Sequence, residues 1–192
     1  AVIGSVFGIV TVFQLLELAN PSQPLLRRLL VETPGTYHHS LMVGNLAERA
    51  AESIGGDPLL ARVAAYYHDV GKLSNPAAFI ENQAGGDNIH DELDPEASAQ
   101  LLKSHIGAGI DIAYKSGLPK ALIAFIPQHH GTAVMSYFYA RAREQAAAPF
   151  GGMETAEGRK AADGVAVGKF RHGGPKPQSR EAAIIMLADS VE

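Results

Sequence analysis

Histidine and aspartate residues are concentrated in short motifs along this chain of 192 residues, which contains eight histidines and no cysteine. The motifs are HHS at 38 to 40, HDVGK at 68 to 72 and QHHGT at 128 to 132. Imidazole and carboxylate groups without sulfur suit Fe, Mn, Co, Ni or Zn, with geometry and availability deciding among them. The pattern therefore predicts a metal site with nitrogen and oxygen ligands, and it leaves the identity of the metal open.

The adjacent pair His68 and Asp69 follows an apolar helical segment, AAYY, whose composition indicates a core position. Neighbouring helical residues point about 100° apart, so His68 can bind one metal while the two oxygens of Asp69 reach between two. Two metals about 3.5 to 4 Å apart hold both the attacking and the leaving oxygen of a phosphoryl displacement. They also lower the pKa of a water bound between them. We therefore expect a hydrolytic site for phosphate esters.

Helical periodicity of apolar residues runs through almost every regular segment and predicts an all-α fold. The expected helix starts carry an N-capping side chain, a proline in the first turn, or both. These starts lie at Ser40, Asp57, Asp94, Pro119 and Ser179. Gly55 and Gly71 are expected to end the first two helices.

This arrangement places the metal-binding residue types near helix ends, which can converge on one site. His39 would begin one helix, His105 would end a third, and His129 and His130 would end a fourth. The stretch between Asn75 and Asp94 is expected to be an ordered loop or short turns near the site. Residues 146 to 178 are rich in Gly and Pro and are expected to form a flexible insertion.

Length and charge limit the class of protein. With 46% hydrophobic residues, the chain is long enough for one compact domain. A formal net charge of −4 provides no global positive field, so long nucleic acid is not an expected partner and any anionic ligand must be held locally. The apolar start before Glu17 is shorter than the ~20 residues needed to cross a bilayer, so we expect the chain as given to be soluble.

The motifs together resemble the HD-domain superfamily of metal-dependent phosphohydrolases. Longer stretches, including LLARVAAYYHDVGK, FIENQ, IPQHHGT and GPKPQSREAAIIMLADSVE, are similar to one branch of it. That branch is the cytoplasmic domain of the seven-transmembrane HD receptors, the PgpH-type cyclic di-AMP phosphodiesterases. The resemblance covers nearly the whole chain from about Leu15, apart from the insertion.

The resemblance implies an HD-domain helical bundle over residues 15 to 192, preceded by a juxtamembrane lead at residues 1 to 14. It also implies two metals, Fe or Mn, whose bridging hydroxide attacks cyclic di-AMP to give linear pApA, at the cytoplasmic face of the membrane. Cyclic di-GMP is a second candidate substrate, and homo-oligomerisation stays open. The implied ligands are His39, His68, Asp69 and Asp189 for the first metal and Asp69, His105, His129 and His130 for the second.

Further residues are candidates for contact with substrate. Lys72 offers an ammonium near the metals that could contact a phosphate, and we group it with His68 and Asp69 as catalytic. Asn82 could recognise a base edge, although polar loop residues usually serve the loop itself. His90 lies in the same loop and is a candidate substrate contact. Tyr137 and other nearby aromatic residues could stack on adenine, but aromatic residues at helical spacing are usually core.

Two other functions fit the same residues. An HD-fold protein with a di-iron site could use O₂ to oxidise a small molecule, which oxygen consumption would reveal. A signalling module could bind the cyclic dinucleotide without turnover, which binding by a metal-loaded but inactive protein would reveal.

Overall fold

The computed structural model describes residues 10–83, 85 and 88–192, and within them the chain forms α-helices, short 3₁₀ turns and no β-strand. The all-α prediction is confirmed. The helices are α1 (Val12–Leu18), α2 (Pro24–Glu32), α3 (Pro34–Ser53), α4 (Pro58–Tyr67), α5 (Ile89–Glu92), α6 (Pro95–Lys115), α7 (Lys120–Ile123), α8 (Ser136–Ala147), α9 (Ala156–Asp163) and α10 (Arg180–Val191). The 3₁₀ turns are Val70–Ser74, Pro76–Ala78, Ile80–Asn82, Ala148–Phe150 and Val167–Phe170.

Side-chain capping starts three of these helices where the sequence predicts it. Asp57 accepts a hydrogen bond from the amide of Leu60, and Asp94 accepts from two amides in the first turn of α6. Ser179 accepts from the amide of Ala182 at the start of α10. Each cap satisfies amides that have no partner within the helix, so these starts are determined by local sequence.

The N-cap of helix α3 is Thr33, seven residues before the predicted cap Ser40, and Pro34 is the first helical residue. Proline is favoured in the first helical turn, where its fixed φ suits the helix and its missing N–H is not needed. Ser40 is consequently a buried residue inside α3, and His39 lies within the helix instead of beginning it. The predicted end is confirmed, because Gly55 adopts a φ of 69° just after the helix.

Helix α4 ends at Tyr67, four residues before the predicted stop at Gly71. The HDVGK motif therefore leaves the helix and enters the 3₁₀ turn Val70–Ser74. A methyl group at Gly71 would overlap the backbone carbonyl of His105. The glycine is thus required because this turn packs directly against the backbone of α6, and it does not end a helix.

Two further expectations for the helices are wrong. Helix α6 continues to Lys115, so His105 lies in its middle, where it faces the centre of the fold instead of ending the helix. Helix α7 ends at Ile123, and His129 and His130 lie in the turns that follow it. The amides of Phe125 and Ile126 bond to carbonyls three residues earlier instead of four, and Pro127 has no amide with which to resume the α-helical pattern.

Residues 146 to 178 are not irregular throughout. They contain α9, which Thr155 caps by accepting from the amide of Gly158. Helix α9 packs against α8, and the following turn buries Phe170 against Phe138. Alanines in α9 and a capping side chain compensate for the surrounding glycines and prolines, which the sequence prediction weighted too heavily.

The main core lies between α1 to α4, α6, α7 and α10. Leu15 of α1 is buried in it, and Tyr67 donates a hydrogen bond of 2.7 Å to the carbonyl of Leu18. The boundary predicted between residues 14 and 15 therefore falls inside α1, while residues 1 to 9 lie outside the described residues. Among the described helices, none combines the length and apolar character needed to cross a bilayer.

Candidate metal centre

Seven side chains from five parts of the fold meet at one place beside the core. They form two groups, and within each group one potential ligand atom from every residue lies within 4.8 Å of all the others. Asp69 belongs to both groups. The first group is His39, His68, Asp69 and Asp189, and the second is Asp69, His105, His129 and His130.

The positions of these residues follow from the elements that carry them. Helix α3 supplies His39, α6 supplies His105 and α10 supplies Asp189. His68 and Asp69 lie where α4 passes into the 3₁₀ turn that packs closely against α6. The turns after α7 supply the remaining two histidines.

The two carboxylate oxygens of Asp69 face different groups. Its Oδ2 lies 3.3 Å from Nε2 of His68 and 3.6 Å from Nε2 of His39. Its Oδ1 lies 3.4 Å from Nε2 of both His105 and His129. One carboxylate is thus shared between two sets of imidazoles.

Asp189 closes the first group from the side of α10. Its Oδ1 lies 3.0 Å from Nε2 of His39 and 3.4 Å from Nε2 of His68. Its Oδ2 lies 3.3 Å from Nδ1 of His130. The carboxylate therefore reaches both the first group and the outer histidine of the second.

Backbone carbonyls orient the three innermost imidazoles. His68, His105 and His129 each place Nδ1 2.6 Å from the carbonyl oxygen three residues earlier in the chain. Since a carbonyl can only accept, Nδ1 carries a proton, and Nε2 is therefore the nitrogen that can offer a lone pair to a metal once the ring is neutral. This is the tautomer that a metal-binding histidine requires, and the hydrogen bond fixes the ring toward the centre.

His39 is oriented by a carboxylate instead. Its Nδ1 forms a short hydrogen bond to the side chain of Glu192, while its Nε2 faces Asp69 and Asp189. A carboxylate behind an imidazole ligand raises the basicity of the ring and holds its orientation. Glu192 therefore acts on the first group through His39.

Burial and the neighbouring charges shift the pKa values of these groups in opposite directions. Burial would lower the pKa of His68, but the negative charges of Asp69 and Asp189, whose oxygens lie 3.3 and 3.4 Å from its Nε2, raise it to about 10. Burial lowers the pKa of His105 to about 4 and that of His129 to about 3. The second group thus contains neutral imidazoles at neutral pH, which is the form that binds metals.

Both carboxyl groups remain ionised at neutral pH. Burial would raise the pKa of Asp69, but the charges of Lys72 and His68 outweigh it and hold the pKa well below its ordinary value. Burial would also raise the pKa of Asp189, but its close contacts with the imidazoles of His130, His39 and His68 lower it strongly. Two ionised carboxylates are therefore available to cations here.

The donor set fits metal ions. Among the described residues, neither Nε2 of His68 nor Oδ1 of Asp69 has a hydrogen-bond partner, although both atoms are buried. Buried polar atoms without partners are costly, so a ligand that uses their lone pairs would remove this cost. Donor atoms about 2.1 Å from one ion lie roughly 3.0 to 3.4 Å apart, close to the separations around Asp69. The cluster is able to hold metal.

Lys72 lies beside this cluster. Its Nζ is 2.7 Å from Oδ2 of Asp69 and 2.7 Å from Oε1 of Glu81, over the ring of Phe79. The side chain is only 12% exposed. Glu81 also accepts a hydrogen bond from the hydroxyl of Thr36, so the ion pair is anchored to α3.

The two loop residues predicted to contact substrate have different surroundings. Both polar atoms of the Asn82 side chain bond to Thr36, one to its amide and the other to its hydroxyl. Asn82 therefore holds its loop to the start of α3. His90 is buried, and its Nε2 bonds to the carbonyl of Ala78 at 2.9 Å.

An aromatic cavity of about 440 Å³ lies next to the cluster. His90 lines it together with Phe79, Tyr137 and Phe138, whereas Asn82 does not. Phe79 also packs edge-on against His105, with ring centroids 5.6 Å apart. The cavity thus adjoins the second metal-binding group.

Sequence reasoning missed two acidic residues at this site. Glu81 was visible within the FIENQ motif, but a single acid in a loop gives no signal of which lysine it pairs with. Glu192 lies three residues after Asp189, so the helical period could have placed it near the same face of α10. Its partner His39 lies 153 residues earlier and could not be deduced locally.

Comparison with known proteins identifies relatives over most of the chain. The sequence profile of the HD domain family matches residues 36–192. The chain is 48% identical over 186 residues to the cyclic-di-AMP phosphodiesterase PgpH of Bacillus subtilis and 45% identical over 188 residues to that of Listeria monocytogenes. These matches cover 97% and 98% of this chain but 24% of each relative, so the chain spans about a quarter of their length.

A solved structure is also similar. It is the HD domain of the L. monocytogenes phosphodiesterase PgpH in complex with cyclic di-AMP, which matches with a TM-score of 0.77 and 43% sequence identity. The match covers 90% of this chain and 73% of that one. The helical arrangement described above is therefore shared with a protein that binds this dinucleotide.

Proposed function

The chain belongs to the HD domain family, and from that premise we propose that it is a metal-dependent phosphodiesterase that hydrolyses cyclic di-AMP to linear pApA. The observation that carries the proposal is the carboxylate of Asp69, whose two oxygens face two separate sets of imidazoles. The similarity to PgpH phosphodiesterases supports the choice of substrate.

In this proposal each group would hold one transition metal ion, Fe or Mn, and Asp69 would be a ligand common to both. Bound there, the ions would generate hydroxide from water at neutral pH and offset the charge of the phosphodiester. The hydrogen bonds behind His68, His105 and His129 fix their rings before metal arrives. The protein therefore contributes a prearranged ligand set instead of assembling one around the metal.

Lys72 would contact the scissile phosphate. Its ammonium carries three N–H donors, of which the ion pairs with Asp69 and Glu81 use two. The remaining donor is available to a phosphate oxygen at the edge of the cluster. Since the side chain is largely buried, this interaction is weakly screened by solvent.

The aromatic cavity would hold one base of the dinucleotide. Tyr137 is 63% exposed and Phe138 is buried behind it, so the cavity offers a stacking surface that solvent can reach. His90 lines this cavity, which supports its proposed contact with substrate. To bind a base edge, Asn82 would have to give up one of its two hydrogen bonds to Thr36. Of the two loop residues, His90 is therefore the better supported substrate contact.

The remaining proposals concern the longer protein. By analogy with its seven-transmembrane relatives, we propose that this domain works at the cytoplasmic face of a membrane, after a transmembrane region. Residues 1 to 14 would form the lead into the domain, of which residues 12 to 14 are part of α1.

The decisive measurement is turnover of cyclic di-AMP and cyclic di-GMP, side by side, by anaerobically prepared protein supplied with Mn²⁺ or Fe²⁺. We expect linear pApA as the chromatographic product, formed faster than its guanine counterpart. Binding of cyclic di-AMP without cleavage by protein with two metals per chain would instead indicate a signalling module. Substrate-dependent O₂ consumption would indicate an oxygenase.

A further inference from the structure

A second cavity, of about 280 Å³, lies beside the metal-binding cluster and differs in character from the aromatic one. Helix α6 separates the two cavities: Leu102 lines the aromatic cavity, whereas Lys103 and Ile106 line the second. His105 lies between these residues and belongs to the second metal-binding group. The cluster is therefore flanked by the aromatic cavity on one side and by a cavity with two cationic side chains on the other.

The second cavity is positively charged. Lys103 and Arg171 line it, and none of the described residues that line it is acidic. The chain as a whole has a formal net charge of −4, so this cavity differs from it in carrying a local positive charge. A positively charged concave surface attracts and holds anions.

Each of the two cations makes one hydrogen bond to a backbone carbonyl and keeps further donors for binding. Nζ of Lys103 donates a hydrogen bond of 2.7 Å to the carbonyl of Lys169. Nη1 of Arg171 donates one of 2.7 Å to the carbonyl of Thr132. An ammonium has three N–H donors and a guanidinium five, so each side chain keeps donors for an anion.

The cavity shares a wall with the metal-binding cluster. His130 lines the cavity and is also a member of the second group. The ring of His172, which also lines the cavity, packs against that of His130 at a tilt of 37°, with centroids 4.3 Å apart. An anion bound in the cavity would therefore lie next to a phosphodiester bound at the cluster.

We propose that this cavity binds the second phosphate of a cyclic dinucleotide, the one that is not cleaved, through Lys103 and Arg171. The inference rests on the proposed phosphodiesterase function and extends it. A cyclic dinucleotide carries two phosphodiesters in one ring, so neutralising the first leaves the second nearby as a charged group. Two cations beside the cluster supply that neutralisation. Only a ligand with a second phosphate can use these cations, so they would favour a cyclic dinucleotide over a diester with a single phosphate.

The test compares cyclic di-AMP with bis(p-nitrophenyl) phosphate, a diester with one phosphate, in the metal-loaded wild type, Arg171→Gln and Lys103→Gln. We expect each variant to lower the ratio of the two kcat/KM values, cyclic di-AMP over the aryl diester, by about tenfold, since one charge-assisted hydrogen bond to phosphate is lost. The change should appear mainly in KM for cyclic di-AMP. Arg171→Lys should restore part of the ratio.

Lys160→Gln is the matched control, because it removes the same charge from an exposed position in α9. It should leave the ratio at the wild-type value. A ratio that stays constant in both cavity variants, with an active wild type, would overturn the assignment of the cavity alone. A wild type that cleaves neither diester would contradict the phosphodiesterase function and this inference with it.

Discussion

Glu81 holds Lys72 against the metal-binding cluster through an ion pair of 2.7 Å. The same ammonium lies 2.7 Å from Oδ2 of Asp69, so it is positioned between a loop carboxylate and the carboxylate shared by the two groups. The Lys72 side chain is 12% exposed and Glu81 28%, which places the pair largely out of solvent. In the proposed function, Glu81 would position Lys72 and Lys72 would contact the substrate.

Replacing Lys72 should impair turnover without removing metal. Lys72→Met keeps the length of the side chain but removes the donor and the charge. We expect two metals per chain by elemental analysis and a kcat reduced by at least about tenfold, the usual effect of losing a charge-assisted hydrogen bond. A variant that lost its metals together with its activity would show that Lys72 serves the metal site instead.

Glu81→Gln should weaken the same function more mildly. The amide keeps the shape and can still accept a hydrogen bond from Thr36, but it no longer attracts the ammonium electrostatically. We expect kcat to fall by less than it does in Lys72→Met and metal content to stay at the wild-type value. The double variant should be no worse than Lys72→Met alone, because Glu81 acts through Lys72. If the reductions in kcat of the two single variants added up in the double variant, Glu81 would not act through Lys72.

The shared carboxylate predicts a specific pattern of metal loss. His39→Ala should lose one metal per chain and His105→Ala the other, whereas Asp69→Ala should lose both. His38→Ala is the matched control, since His38 is exposed next to His39 on α3 and should retain both metals. Elemental analysis of the purified variants measures the outcome. Two metals and normal turnover in Asp69→Ala would refute the bridging assignment.

The metal-free protein should be most stable near pH 6.5. In the folded protein the pKa of His105 is about 4 and that of His129 about 3, whereas both are about 6.5 in the unfolded chain. Below pH 6.5 the unfolded chain therefore binds more protons than the folded protein, and the free energy of unfolding falls as the pH is lowered. The folded pKa of His68 is about 10, so its contribution is lost as the pH rises from 6.5 toward 10. Urea unfolding midpoints in chelator at pH 4.5, 6.5 and 9 test both slopes. A midpoint that rose steadily across this range would contradict the assignment of His68.

Packing between the HDVGK turn and α6 should be sensitive to one methyl group. Gly71→Ala would force the added carbon into the carbonyl of His105, and overpacking of this kind typically costs roughly 1 to 3 kcal/mol. A lower melting temperature and weaker metal binding are expected together, because the turn carries Asp69. Gly107→Ala is the control in α6, where no described atom lies within 4 Å of the added carbon and where alanine should be stabilising by about 0.5 to 1 kcal/mol. Equal melting temperatures for the two variants would contradict the proposed close contact.

Local chemistry in the sequence determined much of the fold and the composition of the site. The caps at Asp57, Asp94 and Ser179 start helices as predicted, because a capping side chain and its amides lie within a few residues of each other. The metal-binding residue types follow from the motifs, and the resemblance to HD domains assigned them to two sets. The same local reasoning failed at Ser40 and Gly71, where Pro34 in one case and packing against α6 in the other decided the conformation.

Tertiary structure decided how these residues act on one another. His39 and Asp189 are 150 residues apart in the chain, and only the packing of α10 beside α3 brings their side chains to 3.0 Å. The opposite orientation of the two Asp69 oxygens, the pairing of Lys72 with Glu81 and the cationic cavity at Arg171 arise in the same way. Each depends on distances between separate elements, which sequence spacing within any one element does not contain.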